Sequence, residues 1–133
     1  MPNRSIELHD TMVAAVIDVG TQIVVFLRAY IHQSEGRPGW DAGSGWVQAA
    51  ALTFSNGVVD GTIPDLPANI WNGDLKVEEE VLSNCVPVPV IFKGAVSLKL
   101  SLDAPAEIVV RGTRVEITLI GEPVYVEEFP GVS

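Results

Sequence analysis

The residues of this chain best suited to chemistry are its two histidines and the carboxylates near them. His9 is followed by Asp10, and His32 is followed at short distance by Glu35 and Asp41. Neutral imidazole and carboxylate groups are ligands for zinc and iron. A hairpin that turns between the histidines would bring them together, so we predict His9, His32 and Asp41 as candidate ligands of a divalent metal. No pair has the local spacing of a known metal motif, and the sequence predicts no other cofactor.

These candidates fall around the longest polar interruption of the sequence, residues 30–46. It contains one of the two histidines, two of the three tryptophans and four glycines. Long loops in compact β domains are often functional, because the scaffold holds them rigidly. In such a loop Arg37 could clamp a carboxylate while His32 acts as a base or a metal ligand. The predicted binding residues are Tyr30, His32, Glu35, Arg37, Asp41 and Trp46.

Two other interpretations of residues 30–46 stay open. The segment could simply cross from one sheet to another, with its tryptophans covering the end of the core. Alternatively, exposed aromatic rings at the open end of the domain would resemble the stacking platform of carbohydrate-binding modules. The rings in question are those of Tyr30, Trp40, Trp46 and Trp71.

The sequence contains no recognisable catalytic motif. Gly43-Ser44-Gly45 lacks the spacing of a nucleophile elbow, and Cys85 has no basic neighbour that would activate its thiol. The glycines match neither of the common phosphate-binding patterns. Adjacent glutamates such as Glu127 and Glu128 point to opposite faces of a strand, so we interpret them as a solvated rim. The catalytic residues therefore stay unknown, and the sequence leaves open whether the protein is an enzyme.

The charge balance narrows the classes of partner. Seventeen acidic and eight basic side chains give a formal charge of -9. Such a protein repels the phosphates of nucleic acids and anionic lipids, so we expect neither nucleic acid nor membrane as a partner. The charge either keeps the protein in solution or attracts a basic protein partner. With 47% hydrophobic and only 19% charged residues, part of the apolar surface is expected to face a second subunit or a cavity.

The elements that must position these residues are predicted to be β-strands. Valine and isoleucine number 30 against 10 leucines, and short apolar stretches are cut by turn-forming residues. We predict hairpins that pair residues 11–18 with 22–31, 46–54 with 58–63, and 68–71 with 74–79. The second and third turn at Asn-Gly dipeptides, Asn56-Gly57 and Asn72-Gly73. A short helical turn competes with strand only over residues 75–84, where three glutamates follow one another.

Two further patterns refine this prediction. Val96, Leu98, Leu100 and Leu102 alternate with polar residues, which is typical of a strand with one wet face. Pro87 and Pro89 lie two residues apart, so the segment around them is either an edge strand or a polyproline-like connector.

About nine short antiparallel strands in 133 residues must curl or split into two layers. We predict an all-β fold, a two-sheet sandwich or jelly roll, with a closed antiparallel β-barrel as the alternative. The chain is expected to form a single domain, residues 1–133. One cysteine, no signal region and no long apolar run predict a cytoplasmic protein.

Two functional hypotheses follow from these observations. The first is a non-catalytic protein-interaction or assembly module, a homo-oligomer with a basic protein partner. The second is a small-ligand-binding protein or a metal-dependent enzyme with its site in residues 30–46. Convergence of His9, His32 and Asp41 in the folded protein would favour the metal-dependent form of the second hypothesis.

Overall fold

The computed structural model describes residues 2–103 and 106–131, and within these ranges its regular structure is entirely β. Every strand pairing is antiparallel, which confirms the predicted fold class. The strands are β1 (Asn3–Asp18), β2 (Gln22–Ser34), β3 (Gly43–Ser55), β4 (Val58–Asp60), β5 (Ala68–Val77), β6 (Glu80–Ser83), β7 (Cys85–Pro87), β8 (Val90–Leu102) and β9 (Glu107–Phe129).

Six of these strands form a ring. The order of the sheet is β6-β5-β8-β9-β3-β2-β1-β7, and β5 also pairs with β1. That closing contact consists of two residue pairs, Met12 with Asn69 and Val13 with Ala68. The two sides of the ring enclose one core, so the architecture is consistent with the predicted sandwich.

The core consists of the alternate side chains that point into the ring. Val96, Leu98, Leu100 and Leu102 are all buried, as the alternation in β8 predicts. The matching residues of β2 are Ile23, Val25, Leu27, Ala29 and Ile31, each exposed by 2% or less. The residues between them, including Tyr30 and His32, consequently face the outside of the ring.

Two successive N-terminal hairpins join β1 to β2 and β2 to β3. β1 and β2 turn at Gly20, which has a φ of +87° and donates its N–H to the Asp18 carboxylate at 2.9 Å. β2 and β3 then pair without a break from Gln22 with Ser55 to Ser34 with Gly43. Only residues 35–42 form a loop, and they connect neighbouring strands. The interpretation of residues 30–46 as a crossing between sheets is therefore wrong, because both ends of that segment are paired strand.

The predicted hairpin at Asn56-Gly57 is also wrong. β3 and β4 do not pair with each other: both pair antiparallel with β9, β3 through Ser55 with Arg114 and β4 through Val58 with Arg111. The chain therefore does not reverse at Asn56, which has a φ of +51°. It shifts there and continues in the same direction along β9 as β4. Gly112 of β9 permits this step, since a Cβ there would lie 2.7 Å from the Ser55 carbonyl oxygen.

The predicted reversal at Asn72-Gly73 does not occur either, because both residues lie inside β5. A Cβ on Gly73 would lie 2.8 Å from Leu100 Cδ2 and 2.9 Å from Leu8 Cδ1, so the glycine makes room for core side chains. The chain reverses instead at residues 78–79, where Glu78 has a φ of +54° and β6 begins. This hairpin also excludes the helical alternative for residues 75–84.

The segment around Pro87 was predicted to be either an edge strand or a polyproline-like connector, and the structure shows an edge strand. β7 pairs only with β1 and stands at the end of the sheet order. Within the described ranges, no helix is long and apolar enough to cross a membrane.

Candidate functional site

A bulge in β1 builds the first wall of a cleft. The β1–β2 register runs to the pair Glu7–Tyr30 and resumes only at Met12, so residues 8–11 loop out of the ladder. Thr11 holds this bulge: its hydroxyl donates to the Glu7 carbonyl at 2.7 Å and accepts the Tyr30 N–H at 3.0 Å. Bulges of this kind redirect side chains and are common beside functional sites.

Two glycines of β3 form the floor. Gly45 lies between β2 and β9, and a Cβ there would clash with the Tyr30 hydroxyl and lie 3.1 Å from the Phe129 ring. Without that Cβ, the Tyr30 side chain crosses β3 and donates its O–H to Glu127 Oε1 at 2.7 Å. Gly43 lies two residues before Gly45 in β3, and it too has no side chain to fill the cleft.

Replacement of Gly45 by alanine is therefore expected to displace Tyr30 and break its hydrogen bond to Glu127. We expect a loss of about 1–2 kcal/mol of unfolding free energy, as for other overpacked sites. Urea denaturation of Gly45→Ala, Tyr30→Phe and the double variant measures this. The loss should shrink in the Tyr30→Phe background, because the clashing hydroxyl is gone; an undiminished loss would contradict the assignment.

A histidine–carboxylate pair lies beside this floor. His32 is 9% exposed, and its Nε2 donates a hydrogen bond to the Glu7 carboxylate. This bond holds the pKa of Glu7 below its ordinary value. The rings of Tyr30 and Phe129 flank the imidazole, with centroids 5.2 and 4.8 Å away. Glu7 is thus a carboxylate, and His32 is fixed in orientation.

The other ring nitrogen of His32 is open. Nδ1 has no hydrogen-bond partner among residues 2–103 and 106–131, and no buried side-chain polar atom in those ranges lacks a partner. The His32 side chain lines the cleft and is 11% exposed there. An imidazole held at Nε2 by a carboxylate can accept a proton or a hydrogen bond at Nδ1.

The loop at residues 35–42 closes the cleft from one side. Asp41 organises it by accepting the N–H of Arg37 at 2.5 Å. The Arg37 guanidinium stacks over Trp40, 4.7 Å from the ring centroid, and Trp40 is 53% exposed. Gly131, which follows β9, packs so closely on the other end of the loop that a Cβ would lie 2.7 Å from the Ala42 nitrogen.

Together these elements enclose a cleft of about 660 Å³ on the outer face of the β1-β2-β3-β9 side of the ring. Its lining residues are Glu7, Asp10, Tyr30, His32, Gln33, Gly39, Trp40, Asp41, Gly43, Glu127, Phe129, Pro130 and Gly131. Four of these side chains are carboxylates and three are aromatic rings. No lysine or arginine belongs to this described lining, and the Arg37 guanidinium lies beside it over Trp40, so carboxylates are the main charges of the lining itself.

The structure brings only part of the predicted binding set together. Tyr30, His32 and Asp41 line the cleft, whereas Glu35 and Arg37 do not. Trp46 points to the other face of the sheet, where it packs against the core and against Tyr125 at 5.3 Å.

Sequence reasoning missed Glu7, Glu127 and Phe129 as cleft residues, whereas Asp10, which it considered beside His9, does line the cleft. It interpreted Glu127 as part of a solvated rim. Glu127 of β9 pairs with Gly45 of β3, and this pairing places the Glu127 side chain at the floor of the cleft. A search for glycines at alternate positions beside aromatic residues would have identified the Gly43 and Gly45 gap.

The predicted metal ligands do not converge. His9 lies in the bulge and donates from Nδ1 to the Trp71 carbonyl at 2.6 Å, which raises the pKa of His9. His32 is paired with Glu7 instead. Among the described residues, no group of three or more histidine, cysteine, aspartate and glutamate side chains is placed to hold a metal ion.

Comparisons of the chain with protein-family models, curated proteins and solved structures give no match. The geometry of the cleft is therefore the basis for assigning a function. Its groups can surround a ligand of moderate size, offer carboxylate acceptors, stack aromatic rings and present one imidazole nitrogen.

Proposed function

We propose that this protein is a non-catalytic interaction module that holds part of a partner molecule in the cleft. The observation that carries the proposal is a concave site built in advance of any ligand. Its volume of about 660 Å³ lies within the range typical of ligand pockets. Hydrogen bonds of Tyr30 to Glu127 and of His32 to Glu7 fix its floor and wall.

The roles of the polar groups support binding over catalysis. The carboxylates of Glu7, Asp41 and Glu127 each accept a hydrogen bond that holds a neighbouring element in place. Burial and the nearby Glu127 raise the pKa of Tyr30, so its phenol keeps its proton and cannot serve as a base near neutral pH. Preorganised groups of this kind lower the cost of binding.

The proposal includes the kind of partner and the setting. A net charge of -9 favours a basic protein partner. Exposed Val124 and Val126 on β9 offer apolar side chains for self-association. A cytoplasmic location fits the single, free cysteine, Cys85.

Native mass spectrometry of the protein purified gently from its own cells tests this proposal. Two exposed tryptophans provide matched variants: Trp40, 53% exposed, lines the cleft, whereas Trp71, 63% exposed, does not. We expect a retained polypeptide or small molecule on the wild type and on Trp71→Ala. Trp40→Ala should lose it, since removal of an aromatic anchor typically weakens binding about tenfold or more.

The melting temperatures of both variants serve as the control, because exposed side chains contribute little to stability. A partner that stays equally bound to the wild type, Trp40→Ala and Trp71→Ala would place the interaction outside the cleft and overturn the proposal. A mass that shows the bare homodimer alone would also count against it.

A second candidate function, proton transfer, is favoured by the open Nδ1 of His32. The Glu7 carboxylate orients this imidazole, as a carboxylate does in many histidine-dependent enzymes. His32→Gln keeps a polar side chain, so a bound molecule that the wild type converts and this variant only retains would support the catalytic role. Equal conversion by both proteins would exclude it.

A further inference from the structure

We infer that the cleft recognises a cation, an alkylammonium group such as that of a lysine side chain or a small primary amine. This inference rests on the proposed binding function and specifies its ligand. The cleft combines acidic side chains, aromatic walls and carboxylates that come from several elements.

The described lining contains four carboxylates and neither lysine nor arginine. Glu7 is a carboxylate paired with His32, and Glu127 receives only the neutral O–H of Tyr30. Asp10, in the bulge of β1, adds a further carboxylate to the lining. An anionic ligand would be repelled here, and a neutral one would leave the carboxylates desolvated without compensation.

The aromatic rings supply a second, independent preference. Tyr30, Trp40 and Phe129 line the same cleft as the carboxylates. Ring faces attract ammonium and guanidinium groups, most strongly when part of their water is removed. One ring already shows this behaviour, because the chain's own Arg37 lies 4.7 Å from the centroid of Trp40. Aromatic surfaces combined with carboxylates are the usual surroundings of organic ammonium groups.

The carboxylates of the cleft are distributed over several elements, which favours an extended organic cation over a compact ion. They come from β1, the 35–42 loop and β9, and no three acidic or histidine side chains of the described chain form a metal-binding group. Phe129 and Pro130 add apolar surface beside the open floor at Gly43. A charged group carried on an alkyl chain fits both the acidic and the apolar parts.

An NMR titration of the full chain tests the inference with three probes. These are n-butylammonium, a short peptide that contains one lysine, and the same peptide with norleucine, which lacks the charge. We expect both cations to shift the amide resonances of Gly39, Gly43 and Gly131, and the norleucine peptide to bind at least about tenfold more weakly. Binding of the cations should also weaken between about 20 and 300 mM salt, because screening shortens the reach of charges.

Two glutamates of β9 provide the matched variants. Glu127→Gln removes a carboxylate of the cleft and is expected to weaken cation binding about three- to tenfold. Glu122→Gln removes one from the same strand outside the lining and should change nothing. Tighter binding of the lysine peptide would identify a side chain in a protein as the source of the cation. Equal affinity for butylammonium would identify a small amine.

Equal affinity for the lysine and norleucine peptides, or no binding by any probe, would overturn the inference of a cation. The proposed function has a separate test in the Trp40→Ala protein purified from cells. Loss of a natural partner there together with failure of the cationic probes would leave the cleft as a binding site for another class of ligand.

Discussion

Replacement of Phe54 by alanine is expected to lower the free energy of unfolding by about 3–5 kcal/mol. Phe54 is 0% exposed and is the largest fully buried side chain of the described core. In the ring it stands between Ile23 of β2 and Val115 of β9, so its loss leaves a cavity bounded by paired strands. Backbone hydrogen bonds on both sides prevent those strands from closing around it.

Urea denaturation followed by tryptophan fluorescence measures this loss. Val58→Ala on the short β4 is the control, because Val58 is 49% exposed and should change stability by less than about 0.5 kcal/mol. A domain of this size has about 5–15 kcal/mol of stability, so the Phe54→Ala protein should unfold at much lower urea. A loss below about 1 kcal/mol would show that the core does not close around Phe54 as described.

Replacement of Glu7 by leucine is expected to lower the free energy of unfolding by about 2–3 kcal/mol at neutral pH. The leucine cannot accept the Nε2 hydrogen bond of His32, which leaves a nearly buried donor without a partner. Glu7→Gln is the matched control, since its amide oxygen can still accept that bond. We therefore expect Glu7→Gln to lose less, and the difference between the two variants measures the unpaired donor.

The same pair predicts a dependence on pH. The folded protein holds the pKa of Glu7 below its unfolded value, so the carboxylate stabilises the fold above the unfolded pKa. This contribution is lost as the pH falls through the folded pKa. The wild type should thus exceed Glu7→Gln in stability at pH 7, and the margin should shrink below about pH 4.5. A margin that stays constant or grows in acid would refute the role of the pair.

The sequence was sufficient for the all-β fold class and for the first hairpin. Its errors fall at glycines that serve a purpose other than a turn. Gly20 ends a strand, whereas Gly73 and Gly112 lie inside strands and make room for close neighbours. Asn56-Gly57 satisfies the backbone needs of a tight turn and serves here as a sideways step along β9. A glycine in the sequence indicates that a Cβ is excluded or that φ is positive. Turns, bulges and close contacts between strands all meet one of these conditions, so the glycine alone does not distinguish them.

The candidate site was predictable only in its local part. Tyr30, His32 and Asp41 stand close together in the sequence, and they lie together in the cleft. Glu7 and Glu127 reach the same place through the β1–β2 and β3–β9 registers. Those registers depend on how many residues each bulge contains, and that number is decided by packing of the whole ring. No local pattern contains it.

The long-range ladder between β3 and β9 also determines when the cleft comes into existence. β1, β2 and β3 are successive hairpins that can form early, whereas β9 pairs with β3 across about sixty or more residues of chain. Pairings of such separation close late, because loop closure must precede them. Glu127 and Phe129 arrive only with this step. A chain that has not yet paired β9 with β3 consequently lacks part of the cleft, so a partner that binds there as proposed would bind only molecules that have completed the ring.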